Sequence, residues 1–310
     1  MSRITTGFGF SSTAMEVAAG IDLSGKRVIV TGGASGIGVE TARALASTGA
    51  EVTLAVRDVN AGNAVAADII ATTGNKNVKV AHLDLADLDS VKEFAAAWKG
   101  PLHLLVNNAG VMAIPELKRS PQGWEMQFAT NHIGHFALSL AMHDALAKDG
   151  AARIVSLSSS AHQRSPVTFD DLHFNFRAYD PFVAYGQSKT ANALFAVEAT
   201  RRWARDGIAA NTGTPGVIMT NLQRYMPKEW SPPAGLTKTP QQGAATSLVL
   251  AVSPLLKGIG GKYFCNCKEA EVISQRTIDL TGVAPYALDP GNAERLWEES
   301  LRALNGKESK

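Results

Sequence analysis

The chain has 310 residues, 45% hydrophobic and 19% charged, with a net charge of +2. This composition excludes a disordered chain and supplies a sizeable core. The near-neutral balance leaves no footprint for nucleic acid. No apolar run reaches the roughly 18–20 residues of a membrane helix, and the N-terminus lacks the apolar core of a signal peptide.

Residues 1–24 read as an N-terminal extension, with one or two helical turns within Met15 to Gly20. Lys26–Thr31 is a short apolar run that fits a buried strand. A glycine turn leads into a helical pattern from Ile37 to Ser47. Strand-like Glu51–Val56, helical Ala61–Thr72, strand-like Val78–Leu83, helical Leu88–Trp98 and strand-like His103–Val106 follow. One long helix is expected over Gln122–Ala147, weakened at Gly134. Arg153–Leu157 is a strand, 160–180 a polar and aromatic connection, Val183–Ala204 a helix, and Ile208–Asn211 the start of a strand. Residues 221–238 read as a loop or lid, Pro240–Val252 as a helix and Lys262–Phe264 as a last strand. Asn292–Leu304 is a charged amphipathic helix with a frayed Lys-rich end.

This alternation predicts an α/β fold, a doubly wound parallel sheet of the Rossmann type with about seven strands. Nothing in the composition separates a second domain. The expected organisation is an extension over 1–24, one catalytic domain over 25–285 that includes the lid, and a helical tail over 286–310. Two cysteines in 310 residues suit a reducing compartment, and the expected location is the cytoplasm. Cys265 and Cys267 form a lone Cys-x-Cys without the further ligands of a zinc site, and no metal is expected.

The turn Thr31-Gly32-Gly33-Ala34-Ser35-Gly36-Ile37-Gly38 joins the first strand to the first helix. Gly32, Gly36 and Gly38 permit a tight turn and close approach of a ligand. The helix start, from Ser35 through Ile37, then presents its amides to a pyrophosphate. At the tip of the second strand, Arg57 can pair with a 2′-phosphate, which favours NADP(H) over NAD(H). Asp58 beside it is also placed to approach a free 2′-hydroxyl. Farther along, Tyr185 and Lys189 lie at i and i+4 and share one helical face. A phenol ionises near pH ~10, and a neighbouring cation favours its anion.

The glycine turn, Asn107-Asn108-Ala109-Gly110, Asn131, the serine run after the fifth strand, Tyr185-x-x-x-Lys189 and Pro215-Gly216 occur in one order. Over residues 25–265 this resembles the short-chain dehydrogenase/reductase family. Ala55-Val56-Arg57-Asp58, Asn131 through Phe136 and Ser158-Ser159-Ser160-Ala161-His162 resemble its retinol-dehydrogenase-like and protochlorophyllide-reductase-like branch, which generally uses NADP(H). The resemblance implies an oxidoreductase that moves a hydride between nicotinamide and a carbonyl or alcohol. It implies Tyr185 as acid/base, Lys189 to lower the phenol pKa and hold the ribose, and Asn131 to hold a water linking Lys189 to solvent. It also implies a serine on the reacting oxygen. Alignment selects Ser159, with Ser158 and Ser160 as alternatives.

Further positions carry over from the family. Asp84 and Leu85 resemble an adenine-contacting pair. Asn107, Ala109 and Gly110 line the adenosine side or stabilise the central strands. Pro215, Gly216, Val217 and Ile218 pass the nicotinamide, and Thr220 bonds the pyrophosphate or the carboxamide.

His132 and His135 fit packing or a substrate wall better than a metal site. Trp124, Phe128 and Phe136 fit core packing, and Arg201-Arg202 a solvated face. Phe169, Phe174, Phe176, Tyr179, Phe182, Tyr225, Met226 and Trp230 in the connection and the lid suit an apolar or aromatic small-molecule substrate, or an oligomer interface. Relatives in the family associate through the helices corresponding to 122–147 and 183–204, which implies a homodimer or homotetramer. Two other readings keep the cofactor: reduction of a polarised C=C bond, and a catalytically silent NADP(H)-binding module.

Overall fold

The computed structural model describes residues 3–227, 229–232 and 234–306. The Lys-rich end beyond 306 and two positions of the lid, 228 and 233, lie outside the described residues. Among the described residues ten strands form: β1 Arg27–Thr31, β2 Glu51–Val56, β3 Val78–His82, β4 Leu104–Asn107, β5 Arg153–Leu157, β6 Ala209–Thr214, β7 Val217–Ile218, β8 Thr237–Lys238, β9 Tyr263–Cys265 and β10 Lys268–Glu269. Eight of them make one sheet in the order β10-β9-β6-β5-β4-β1-β2-β3, parallel except for β10. The sheet therefore has one strand more than expected. The extra strand is the short return of a β9–β10 hairpin, whose turn holds Asn266 and Cys267 at φ 49° and 63°.

Alternation within the strands divides the core into two layers. Val28, Val30, Leu104, Val106 and Val155 face one way. There they meet helices α1 Ala14–Ala18, α2 Gly36–Ser47, α3 Val59–Thr73, and α9 Pro240–Gly243 with α10 Ala245–Val252. Ile29, Leu105, Ile154 and Ala210 face the other way. That layer holds α4 Leu88–Ala97, α6 Gly134–Ala141, α8 Pro181–Trp203 and α11 Pro290–Leu304.

The helix expected over Gln122–Ala147 is divided. Helix α5 (Met126–Phe128) is capped by the Glu125 carboxylate, which accepts from the amides of Gln127 and Phe128 at 2.9 and 2.7 Å. A π-helical turn follows over Ala129–Ile133, then α6, and after Met142 the short α7, His143–Ala147. Gly134 has a packing reason: a β-carbon there would lie 2.1 Å from the Leu85 carbonyl oxygen.

The extension is bound to the sheet edge. Glu269 N–H donates to the Ile4 carbonyl at 2.9 Å, and the Thr6 hydroxyl donates to the Cys267 carbonyl at 2.8 Å. At the other terminus α11 lies across α8 and α6. Trp297 meets Phe136, Phe195 and Trp203 with ring centroids 4.9, 6.1 and 5.1 Å apart. These are the two helices on which the resemblance placed an oligomer interface.

The Arg201–Arg202 pair is not merely a solvated face. Both guanidinium groups clasp the fully buried Glu198 carboxylate, at 2.8 and 2.6 Å, and also reach Glu294 and Glu298 on α11. A buried carboxylate requires such partners.

Candidate active site

The order of strands changes direction between β1 and β4, which opens a crevice at their carboxyl ends. The glycine turn lines it. Gly32 and Gly36 hold φ of 65° and 55°, where L side chains are strained. A β-carbon at Gly38 would meet the Gly32 carbonyl oxygen at 2.4 Å, and one at Gly36 would meet Thr220 at 3.2 Å. Ser35 is the N-cap of α2, yet its hydroxyl makes no capping bond. The amides at the start of α2 thus face the crevice without a side-chain partner from the cap.

Thr220 closes this end of the crevice and caps the turn Asn221–Gln223. Ile218 and Ile37 meet at the position where Gly243 leaves no room for a side chain, so Pro215–Thr220 lies against the start of α2. Arg57 is exposed, with no carboxylate partner among the described residues. Asp58 accepts from the Ala61 amide at 3.0 Å and caps α3. This engages one oxygen of the Asp58 carboxylate.

At the end of β3, the Asp84 amide is held by the Ser90 hydroxyl at 2.9 Å, and Leu85 is buried. Asn107 and Asn108 each keep a buried side-chain oxygen without a partner. Ala109 and Gly110 follow at partial exposure. Together these positions make a cradle of glycine and free polar groups that fits a dinucleotide.

A buried network fixes the middle of the crevice. The Thr31 hydroxyl accepts from the amides of Asn108 and Ala109 at 2.9 and 3.0 Å. His135 Nδ1 donates to the Asn131 carbonyl at 2.9 Å, so its Nε2 accepts from the Thr31 hydroxyl at 2.8 Å. The Asn131 side chain holds both backbone groups of Val111, at 2.8 and 2.9 Å, and donates to the Ser188 hydroxyl. Asn131 sits within the π-helical turn, a distortion frequent at functional sites. Sequence reasoning missed Thr31 and Asn108 as positioning groups and gave His135 only packing or wall roles. Nothing in their spacing marks this network.

Tyr185 and Lys189 both lie on α8 and are 4% exposed. The Lys189 ammonium lies 5.6 Å from the Tyr185 ring centroid and donates to the Leu157 carbonyl at 3.1 Å. The Ser159 hydroxyl, which accepts from the Ala161 amide at 3.2 Å, is the side-chain group that acts on the Tyr185 phenol. Ser158 instead donates to the Lys189 carbonyl at 2.8 Å, and Ser160 faces a separate cavity. Of the three serines, the geometry brings Ser159 to Tyr185. Gly110 stands where a β-carbon would be 3.2 Å from Asn131 Oδ1 and 3.5 Å from Lys189 Nζ.

Burial pushes the Tyr185 phenol up to about 12, with the Ser159 hydroxyl working against it, and pulls Lys189 down to about 8. In the chain alone, burial rather than the lysine governs the phenol.

His132, His135 and His162 are buried within this layer, and burial pulls them from the usual 6.5 to about 3, 4 and 4. Their folded values lie below their unfolded ones. Their unfolded rings therefore take up protons below about pH 6.5 that the folded chain refuses, and stability is lost from there toward pH 4. The expected result is that all three rings remain neutral by NMR at pH 5 in the folded protein. Protonated rings at that pH would contradict it.

The aromatic set divides. Phe174 is buried against Tyr179, whose hydroxyl donates to the Ile114 carbonyl at 3.0 Å, and Phe169 lies under Arg295. These build the connection rather than a substrate wall. Phe176 and Tyr225 are exposed. Among the described residues no cluster of three or more His, Cys, Asp or Glu is placed to hold a metal, and no helix is long and apolar enough to cross a membrane.

The fold is of the Rossmann type, and Ser159, Tyr185 and Lys189 come together beside its crevice. Residues 26–230 match the family model described as short chain dehydrogenase. A probable oxidoreductase of Streptomyces antibioticus is 50% identical over 92% of this chain and 99% of its own. Human retinol dehydrogenase 13 is 40% identical over 91% of this chain and 85% of its own. Among solved structures, an uncharacterised protein from Mycobacterium paratuberculosis is 33% identical with a TM-score of 0.74, covering 95% of this chain and 98% of its own. The chain belongs to the short-chain dehydrogenase/reductase family, within its retinol-dehydrogenase-like branch. It is an enzyme of CH–OH and C=O groups, of a family that binds nicotinamide cofactors.

Proposed function

We propose that the protein is an NADP(H)-dependent reductase of carbonyl groups on an apolar or aromatic small molecule, with Tyr185 as the general acid. The Tyr185 phenol, with the Ser159 hydroxyl acting on it and the Lys189 ammonium beside its ring, carries this reading. Burial keeps the phenol protonated at neutral pH. That is the form that gives a proton to a carbonyl oxygen in the reducing direction. Ser159 orients the reacting oxygen. Lys189 holds the ribose and places positive charge beside the phenolate as it forms. Asn131, through the Val111 backbone and Ser188, holds the π-helical turn against Lys189.

The glycine turn, the start of α2 and the residues Asp84, Leu85, Asn107, Ala109, Gly110, Pro215, Gly216, Val217, Ile218 and Thr220 hold the dinucleotide. When bound, it supplies the hydride. Arg57 pairs with the 2′-phosphate. A likeness to a protein from Beutenbergia cavernae, described as a putative NAD(P) dependent gluconate 5-dehydrogenase and solved with NADP bound at low occupancy, supports the cofactor class (26% identity, TM-score 0.63, 78% of this chain and 95% of its own). Arg57→Ala should lower kcat/KM with NADPH by about 10- to 100-fold relative to NADH, the range for losing charge-assisted hydrogen bonds. Strong preference for NADH that Arg57→Ala leaves unchanged would sink the assignment. Because α11 covers α6 and α8, a homodimer or homotetramer would form through another surface.

A further inference from the structure

Beside the Pro215–Val217 segment lies a cavity of about 190 Å³ that shares Gly216 and Val217 with the proposed dinucleotide site. Ser160, Thr214 and Gly216 bring its wall to the catalytic face, and Phe10 of the extension closes the far side. Lys238, on β8, lies in this wall and is 4% exposed. Its ammonium donates to Asn266 Oδ1 at 2.7 Å and lies 4.8 Å from the Phe10 ring centroid. It makes no ion pair among the described residues.

An ammonium has three donors, and a buried one without a counter-ion carries a large desolvation cost. Burial accordingly pulls Lys238 down, with Cys265 and Cys267 the other groups that act on it. Asp279 is the one carboxylate in the wall. It accepts from the Thr281 hydroxyl at 2.9 Å and the Thr281 amide at 3.2 Å, and forms no ion pair with Lys238.

We infer that this cavity is a subsite for an anionic group of the substrate, a carboxylate paired with Lys238. This deepens the proposed reaction and rests on it: the substrate is a carbonyl compound with an apolar or aromatic body and a carboxylate at one end. The cavity has the volume of roughly six waters, enough for a carboxylate and its first carbons. The turn supplies a natural control, because Asn266 at φ 49° stands in a region that aspartate also tolerates. Asn266→Asp would give Lys238 an internal counter-ion without removing it.

The test is calorimetric binding of 4-acetylbenzoate and its methyl ester to the full chain saturated with NADP+. NADPH affinity is measured separately by fluorescence. The acid should bind at least about tenfold more weakly to both Lys238→Met and Asn266→Asp than to the parent, as expected for losing one charge-assisted contact. The ester should bind all three alike, and NADPH affinity should not change. Three results would overturn the subsite: no binding of the acid to the parent, equal binding of the acid to parent and variants, or weakened NADPH binding in Lys238→Met. The last would make Lys238 a cofactor ligand. Charge-dependent binding without turnover of any carbonyl would instead count against the proposed reaction and leave the subsite standing.

Discussion

Tyr185→Phe should lower kcat for carbonyl reduction by about 10²–10⁴, the usual contribution of a positioned general acid. A factor of 10³ corresponds to about 4 kcal/mol of barrier. The substitution removes one oxygen from a ring that is 4% exposed, so the packing of α8 stays and the loss falls on chemistry. Lys189 keeps its bond to the Leu157 carbonyl, which does not involve the phenol. NADPH affinity should therefore fall by less than about tenfold, the upper worth of one neutral hydrogen bond. Single-turnover rates with a ketone and a fluorescence titration of NADPH separate the two effects. An unchanged rate would remove Tyr185 from the mechanism.

The same residue illustrates what sequence order can carry. Spacing alone put Tyr185 and Lys189 on one face of a helix. The glycine turn after β1 and the serine run after β5 then placed that helix beside a crevice. The sheet was legible because its strands are short apolar runs, in which Val28, Ile29 and Val30 are all fully buried. The edge strand β10 escaped notice because Lys268–Glu269 has neither alternation nor length. Ser159 could be separated from its neighbours only in three dimensions, since all three serines follow the end of β5 and differ in where their hydroxyls turn.

Tertiary partners explain the other departures. Arg201 and Arg202 look like any exposed pair on a helix, and their target, Glu198, looks like an i−3 or i−4 surface partner. Only the packing of α11 buries that carboxylate and turns the three into an anchor. His135 likewise has no local signature. Its role depends on Thr31 from β1 lying 2.8 Å away, across 104 residues of chain.

Gly134→Ala is where local propensity and tertiary structure give opposite signs. In a helix interior this change ordinarily stabilises by about 1 kcal/mol. Here the new β-carbon would lie 2.1 Å from the Leu85 carbonyl oxygen and 2.7 Å from the Leu85 side chain, both inside contact distance. The obstacle is backbone, so no side-chain rotation relieves it. Either α6 or the end of β3 must move. Overpacking of this kind costs roughly 1–3 kcal/mol and occasionally more. At a few degrees per kcal/mol for a domain of this size, the melting temperature should drop by about 5–10 °C. A shift on the Leu85 side would displace the Asp84–Leu85 wall and weaken NADPH binding. A shift on the α6 side would disturb the π-helical turn that carries Asn131. Thermal unfolding with and without NADPH distinguishes the two: a smaller cofactor-induced rise in the variant points to the Leu85 side, and an unchanged rise with lowered kcat to the Asn131 side. A variant as stable as the parent would mean that the close approach of α6 to Leu85 is not a constraint on this fold.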